Sequence, residues 1–109
     1  MKIDIYNYPF EVLFIDKDEE RLKGNDGIVL YNDRKILVRD DLDEITTGVV
    51  IRHELVHAIM LVQGRWNQVK LTNEDMSEFV GFQAPFIVDT TNVILGARAL
   101  SQNIDRSEH

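Results

Sequence analysis

The chain begins with two short segments whose apolar and polar positions follow the pattern of β-strands. Residues 3–6 alternate between apolar and polar side chains, and residues 10–15 are rich in aromatic and β-branched side chains. Both features are typical of strands. Residues 7–9, Asn-Tyr-Pro, lie between the two segments and are expected to break or bend the chain.

A second pair of apolar segments predicts a hairpin. Residues 27–31 and 35–39 are rich in strand-forming side chains, and residues 32–34, Asn-Asp-Arg, lie between them as a turn. The acidic clusters at residues 16–20 and 40–44 lack the spacing of a calcium loop, so they are interpreted as solvated turns and helix starts. A short helical turn is expected over residues 18–22.

Residues 49–62 are apolar almost all the way round a helix, which indicates a helix buried on most of its sides. Gln63 and Gly64 then predict its end, because glycine suits the left-handed conformation just past a helix. This apolar stretch contains Arg52, His53, Glu54 and His57. Such polar groups need partners, since an ionised carboxylate buried without compensation is costly.

Two more helices are expected after this one. Thr72 is the predicted N-cap of the second, with acidic residues in its first turn where they meet the positive end of the helix dipole. Pro85 is expected to kink or end it, because proline lacks the amide hydrogen. Residues 93–100 form the predicted third helix, and the polar tail at residues 101–109 is expected to fray. His109 is therefore not expected to bind a metal.

Strands followed by helices predict an α+β fold in which a small N-terminal sheet covers the apolar helix. A chain of 109 residues is long enough for one domain with a real core, so residues 1–109 are expected to form a single domain.

The spacing of His53 and His57 predicts a metal site. On a helix, residues four apart lie on the same face, about 6 Å apart along the axis, so one ion can contact both imidazoles. Glu54 lies about 100° further round the same turn, near enough to touch a water carried by the metal, and its natural role is general base. The competing interpretation is two core histidines bonded to backbone carbonyl groups, with Glu54 paired to Arg52 or to another basic side chain.

A catalytic zinc ion usually has three protein ligands, and the second helix offers Glu74 and Glu78 for the third. If the two helices pack antiparallel with level ends, His57 lies about 8 Å before the end of the first and Glu78 about 9 Å into the second. This geometry favours Glu78. A connection of seven residues could also shift one helix by a turn, so the spacing leaves both glutamates open.

The motif His53-Glu54-Leu55-Val56-His57, followed by Asn73-Glu74 and then Glu78, resembles the gluzincin pattern. With Gly64-Arg65-Trp66, it is similar to small zincin-like proteins of phages and prophages, related in pattern to the ImmA/IrrE and SprT-like metallopeptidases. The resemblance implies a minimal zincin fold that binds Zn²⁺ through His53, His57 and Glu74.

The same resemblance implies that Glu54 is the base and that Glu78 orients a histidine ligand. The gluzincin pattern has Asp where this chain has Glu78, which is one methylene longer. The orienting contact of this position therefore departs from the pattern, and Glu78 stays the alternative third ligand.

Composition narrows the function. With 12 Lys and Arg against 19 Asp and Glu, the net charge of −7 argues against a nucleic-acid partner. The absence of cysteine leaves nitrogen and oxygen as metal donors and suits an intracellular protein. The N-terminus lacks the pattern of a signal peptide, and the longest apolar run is judged too short to span a membrane. We therefore expect a cytoplasmic protein without a membrane partner.

These features together predict a zinc metallopeptidase, a hydrolase that acts on a peptide or protein substrate. Tyr6, Tyr8 and Tyr31 are candidate donors to the oxyanion, although each also suits a packed strand position. Trp66 is expected to cover the end of the first long helix. The alternative is a catalytically silent module that binds zinc for stability and uses the same scaffold to bind another protein.

Overall fold

The computed structural model describes the backbone of residues 1–64 and 73–107 and the side chains of residues 1–64 and 83–102. In this part of the chain, four strands precede two long helices, so the fold is α+β as predicted. The strands are β1 Lys2–Ile5, β2 Tyr8–Ile15, β3 Gly27–Leu30 and β4 Lys35–Arg39; the helices are α1 Glu44–Val62 and α2 Asn73–Ser107; one 3-10 turn covers Glu20–Leu22.

The strands form one mixed sheet in the order β1-β2-β4-β3. Strands β1 and β2 are antiparallel, β2 and β4 are parallel, and β3 and β4 form the predicted antiparallel hairpin. Strand β3 is therefore at an edge of the sheet. Its position matters for the site, because α1 packs against β3 and β4.

The turn between β1 and β2 is shorter than the connection over residues 7–9 that the sequence predicted. Tyr6 and Asn7 both have positive φ, 50° and 69°, and form a two-residue connection. Pro9 was expected to help break the chain, but it lies inside β2 opposite Asp4. It is tolerated there because β2 pairs with β4 only from Glu11 onward, so the missing N–H of Pro9 removes no bond to that strand.

Helix α1 begins at Glu44, within the second acidic cluster. Asp43 is its N-cap, and one carboxylate oxygen accepts the backbone N–H of Thr46 at 2.7 Å. The interpretation of this cluster as a helix start is thereby confirmed. At the other end, Gly64 has φ +71°, which confirms the predicted left-handed residue after the helix.

Helix α2 is continuous for 35 residues, so Pro85 kinks the helix at most and does not end it, and the prediction of a separate third helix is wrong. Pro85 is exposed, and water can satisfy the carbonyl that its missing N–H leaves without a partner. The helix also extends to Ser107, through most of the tail that was expected to fray. His109 lies outside the described residues.

The core lies between the sheet and the two helices. Ile5, Val38, Ile51 and Leu55 are fully buried at its centre, and α2 contributes Ile94. Burial of such side chains is the main favourable term in folding.

By length and composition alone, α1 is long and apolar enough to cross a membrane. The expectation that no apolar segment reaches this length is therefore wrong. The helix instead packs on the sheet and on α2, and the core helix of a soluble protein meets the same criteria. The compact fold with α1 in its core indicates a soluble protein.

Candidate metal centre

The two histidines of the motif project from α1 into the same space. Their Nε2 atoms are 3.0 Å apart, and the ring centroids are separated by 4.6 Å with the planes at 73°. His53 is exposed and His57 is half-buried. The spacing on the helix thus places both ring nitrogens at one point, as the sequence predicted.

Glu54 lies between the core and the space that the two histidine side chains enter. Its side chain is only 7% exposed, which is unusual for a glutamate. The side chain faces β3, where a Cβ atom on Gly27 would lie 3.1 Å from Cγ of Glu54. The edge strand therefore forms one wall beside this carboxylate.

A cavity of about 410 Å³, the His53 cavity, surrounds these groups. One wall is formed by α1 with His53, Glu54, His57 and Leu61, and the other by β3 and the residue Asn25 before it. Its volume lies within the range of small-molecule and cofactor sites. The cavity therefore brings the three motif side chains together beside a sheet edge.

Burial shifts the ionisation of two of these groups. Loss of hydration raises the pKa of the Glu54 carboxyl above its ordinary value, and the charge of His53 partly offsets this shift. Loss of hydration also lowers the pKa of His57, and His53 lowers it further. The lowered pKa favours the uncharged imidazole of His57, which is the form that binds a metal.

The two imidazoles fit a zinc ion. Zinc binds histidine nitrogen at about 2.0–2.1 Å with tetrahedral geometry, which places two bound nitrogens about 3.3 Å apart. The observed 3.0 Å between the Nε2 atoms is a hydrogen-bond contact between the two rings and lies slightly below this distance, so a bound ion would replace that contact. The side chains that would complete the ligand set, Glu74 and Glu78, lie outside the described side chains.

Within the residues that are described, no group of three His, Cys, Asp or Glu side chains surrounds a common point. The third ligand accordingly stays a prediction. Trp66, expected as a cover over the helix end, also lies outside the described residues.

None of the three candidate tyrosines is among the residues that line the His53 cavity. The hydroxyl of Tyr6 donates to Oε1 of Gln83, and its ring stacks on Phe86 at 5.7 Å. The guanidinium of Arg34 lies over the ring of Tyr8 at 5.0 Å. Tyr31 is 52% exposed in the turn after β3. None of them is therefore assigned as an oxyanion donor.

Two residues that shape the site lie outside the sequence motif. Asn25 and Gly27 both line the His53 cavity. The sequence could have indicated Gly27, because glycine inside a strand often marks a close approach of another part of the chain. No sequence pattern indicated Asn25, because its place in the cavity depends on where the loop before β3 meets α1.

Comparisons with protein-family models, with curated proteins and with solved structures found no match to this chain. The family resemblance therefore rests on the motif residues alone.

Proposed function

We propose that this protein is a zinc-dependent metallopeptidase that hydrolyses peptide bonds. The observation that supports the proposal is the convergence of the His53 and His57 Nε2 atoms to 3.0 Å, beside a nearly buried Glu54, in one open cavity. A purely structural zinc site has no need for a carboxylate such as Glu54 beside the two histidines.

His53 and His57 would hold the ion, with Glu74 as the proposed third ligand and Glu78 as the alternative. When bound, zinc lowers the pKa of its water toward neutrality and polarises a carbonyl oxygen. The carboxylate of Glu54 would accept a proton from the attacking water and would later return it to the nitrogen of the leaving amine. The raised pKa of Glu54 suits this exchange, because a general base and acid works best with a pKa near the working pH.

Strand β3 offers a place for the substrate backbone. It is an edge strand that pairs only with β4 in the described part of the sheet, and it forms a wall of the His53 cavity. An extended peptide could pair with this edge through main-chain hydrogen bonds. We therefore propose a peptide or unfolded protein segment as the substrate, and the cytoplasm as its compartment.

The competing proposal is a zinc-stabilised interaction module without catalysis. Two exposed aliphatic side chains favour it: Ile45 is 81% exposed and Val49 52% exposed, and both lie on the α1 face that leads to His53. Exposed apolar residues that cluster on one face can mark a protein contact. They would equally serve substrate binding, so catalysis has to be measured.

The test is the variant Glu54→Gln, assayed on a pool of peptides with mass-spectrometric detection of the products. We expect zinc content and melting temperature to be retained while kcat falls by about 10²- to 10⁴-fold, the usual contribution of a general base. Glu44→Gln, on an exposed position of the same helix, is the matched control and should cleave like the wild type.

Absence of any cleavage by the zinc-loaded wild type would reject the peptidase proposal in favour of the interaction module. Equal cleavage by wild type and Glu54→Gln would remove Glu54 from the mechanism.

A further inference from the structure

Strand β1 lies at the edge of the sheet opposite to β3, and in the described part of the sheet it pairs only with β2. The backbone N–H of Val12 donates to the carbonyl oxygen of Met1 at 2.7 Å, and the nitrogen of Met1 donates to the carbonyl oxygen of Val12 at 3.1 Å. Bonded and non-bonded positions alternate along an antiparallel pair, so Ile3 also directs its N–H and C=O groups toward β2. The N–H and C=O groups of Lys2 and Asp4 therefore point away from the sheet.

The side chains of Lys2 and Asp4 are exposed and lie on the face of the sheet away from the helices, because Ile3 between them is buried in the core. Charged side chains often protect an edge strand from pairing with another chain. Here the two charges are opposite in sign and two residues apart, so one alignment of two copies makes them partners.

A twofold axis places two copies of β1 antiparallel, with the same surface on both sides of the interface. Pairing Lys2 with Lys2 of the second copy, or Asp4 with Asp4, sets like charges opposite each other, which is destabilising. A register centred on Ile3 sets Lys2 of each copy opposite Asp4 of the other. Each of these pairs exchanges both main-chain hydrogen bonds, because the outward groups of Lys2 and Asp4 have the same phase along the strand.

A groove of about 280 Å³, the β1 groove, lies beside this edge between β1 and α2. It is lined on the helix side by Asp89, Thr90 and Val93, and Val93 is 57% exposed. Met1 also lines the groove and is 41% exposed. A strand placed about 4.8 Å beyond β1 would cover both apolar side chains. Main-chain groups, charges and apolar surface at this edge thus all fit a second copy of the same strand.

We propose that this protein forms a symmetric dimer through β1, in which Lys2 of each copy pairs with Asp4 of the other. The two sheets join into one continuous sheet. Because β3 is at the opposite edge, the His53 cavities lie at the two far ends of that sheet and stay open. The inference does not depend on the proposed peptidase activity.

Sedimentation velocity of the wild type tests the dimer itself. The interface is small, so we expect a concentration-dependent equilibrium between monomer and dimer with a Kd on the order of 10–100 µM. The measurement covers about 1 to 500 µM, which spans this Kd on both sides. A wild type that stays monomeric over the whole range overturns the inference, whatever its activity on peptides.

Two charge variants test the pairing of Lys2 with Asp4. Lys2→Glu makes both charges of the strand negative, and Asp4→Lys makes both positive, so each variant alone sets like charges opposite in the dimer. We expect the Kd of each variant to rise by at least about 10-fold, because two attractive cross-strand pairs become repulsive. Both positions are exposed, so the fold is retained.

Mixed in equal amounts, Lys2→Glu and Asp4→Lys place opposite charges across both pairs and should dimerise at least as tightly as the wild type. This recovery distinguishes a specific pairing from damage to the fold. Self-association of each variant with the Kd of the wild type would show that the dimer uses another surface, and would overturn the inference.

Disulfide formation tests the register, since the chain contains no cysteine of its own. In the proposed register, residues 2 and 4 of different copies have Cα atoms about 5.5 Å apart, which suits a disulfide. Lys2→Cys mixed with Asp4→Cys should therefore crosslink on mild oxidation. Lys2→Cys alone should crosslink far less, because its two thiols belong to Cα atoms more than about 7 Å apart. Efficient crosslinking of Lys2→Cys alone would contradict the proposed register.

The β1 groove is tested with a matched pair of substitutions on α2. Val93→Asp introduces a charge into the groove, and we expect the Kd of the dimer to rise by about 10-fold or more, because burying an unpaired charge is costly. Val88→Asp is the control, because Val88 is 49% exposed on the same helix and does not line the groove. Equal Kd values for Val93→Asp and wild type would overturn the placement of the second copy at this edge.

Discussion

Helix α1 has two faces that differ in almost every physical property. On the packed face, Ile51, Leu55 and Ala58 are completely buried between the sheet and α2. On the cleft face, Val49 is 52% exposed and His53 is also exposed. One face holds the fold together through burial, while the other presents apolar and polar groups to a cavity.

This contrast teaches that stability and the proposed chemistry rest on different residues of one helix. Glu54 lies where the two faces meet, and its near-complete burial is the exception. Substitutions on the packed face should therefore weaken folding, and substitutions on the cleft face should remove metal or activity while leaving the fold intact.

The largest effect is expected for Leu55→Ala on the packed face. Leu55 is fully buried, so its truncation loses the burial of the side chain and leaves a cavity, which together cost about 2–5 kcal/mol. Urea unfolding measures this loss. Val49→Ala, on the cleft face, should change the free energy of unfolding by no more than about 0.5 kcal/mol. Similar losses for both variants would contradict the separation.

On the cleft face, His57→Ala should abolish stoichiometric zinc and weaken affinity by about 100-fold or more, because one of the proposed ligands is lost. The measurement is elemental analysis of protein purified without chelator, with the circular dichroism spectrum as the check on folding. Glu74→Ala should behave in the same way, and Glu78→Ala should lose less zinc. The reverse order for the two glutamates would make Glu78 the third ligand.

The metal-free protein offers a pH test at the boundary between the faces. Because burial raises the pKa of Glu54, the folded chain holds this proton more tightly than the unfolded chain does. The free energy of unfolding therefore falls as pH rises from the ordinary range of a glutamate through the raised pKa. Glu54→Gln removes this titration, so the metal-free variant should be more stable than wild type at neutral pH.

The difference between Glu54→Gln and wild type should shrink in acid, where both side chains are uncharged. Urea unfolding of both metal-free proteins from acid to neutral pH measures it. A gap that widens in acid would show that the carboxylate is stabilised, rather than destabilised, by its surroundings.

The smallest effect is expected at the start of α1, which belongs to neither face. Asp43→Ala should lower the melting temperature by a few degrees, because the side chain caps the backbone N–H of Thr46. This hydrogen bond lowers the pKa of Asp43, so its contribution is present at neutral pH and is lost as pH falls through the lowered pKa. Asp43→Asn, which keeps a capping oxygen, should lose less and should show a weaker pH dependence.

Much of the fold follows from local patterns. The four strands and α1 lie close to the predicted segments, because alternation and helical periodicity report which side of each element is buried. The errors arose at two prolines, where the surrounding structure outweighed the tendency of proline to break a helix or a strand. Pro85 lies inside α2, where water can reach the carbonyl that loses its partner. Pro9 lies inside β2, where its missing N–H removes no bond to β4.

The candidate site was likewise predictable from the sequence only in part. The sequence by itself determined that His53 and His57 share one helix face and that Glu54 follows the first of them, because a spacing of four residues is a local property of the helix. Only the tertiary structure decided that Glu54 is buried and that Gly27 lies against it. The reason is that β3 reaches α1 through the pairing of distant strands, and no local periodicity encodes which strand becomes the edge.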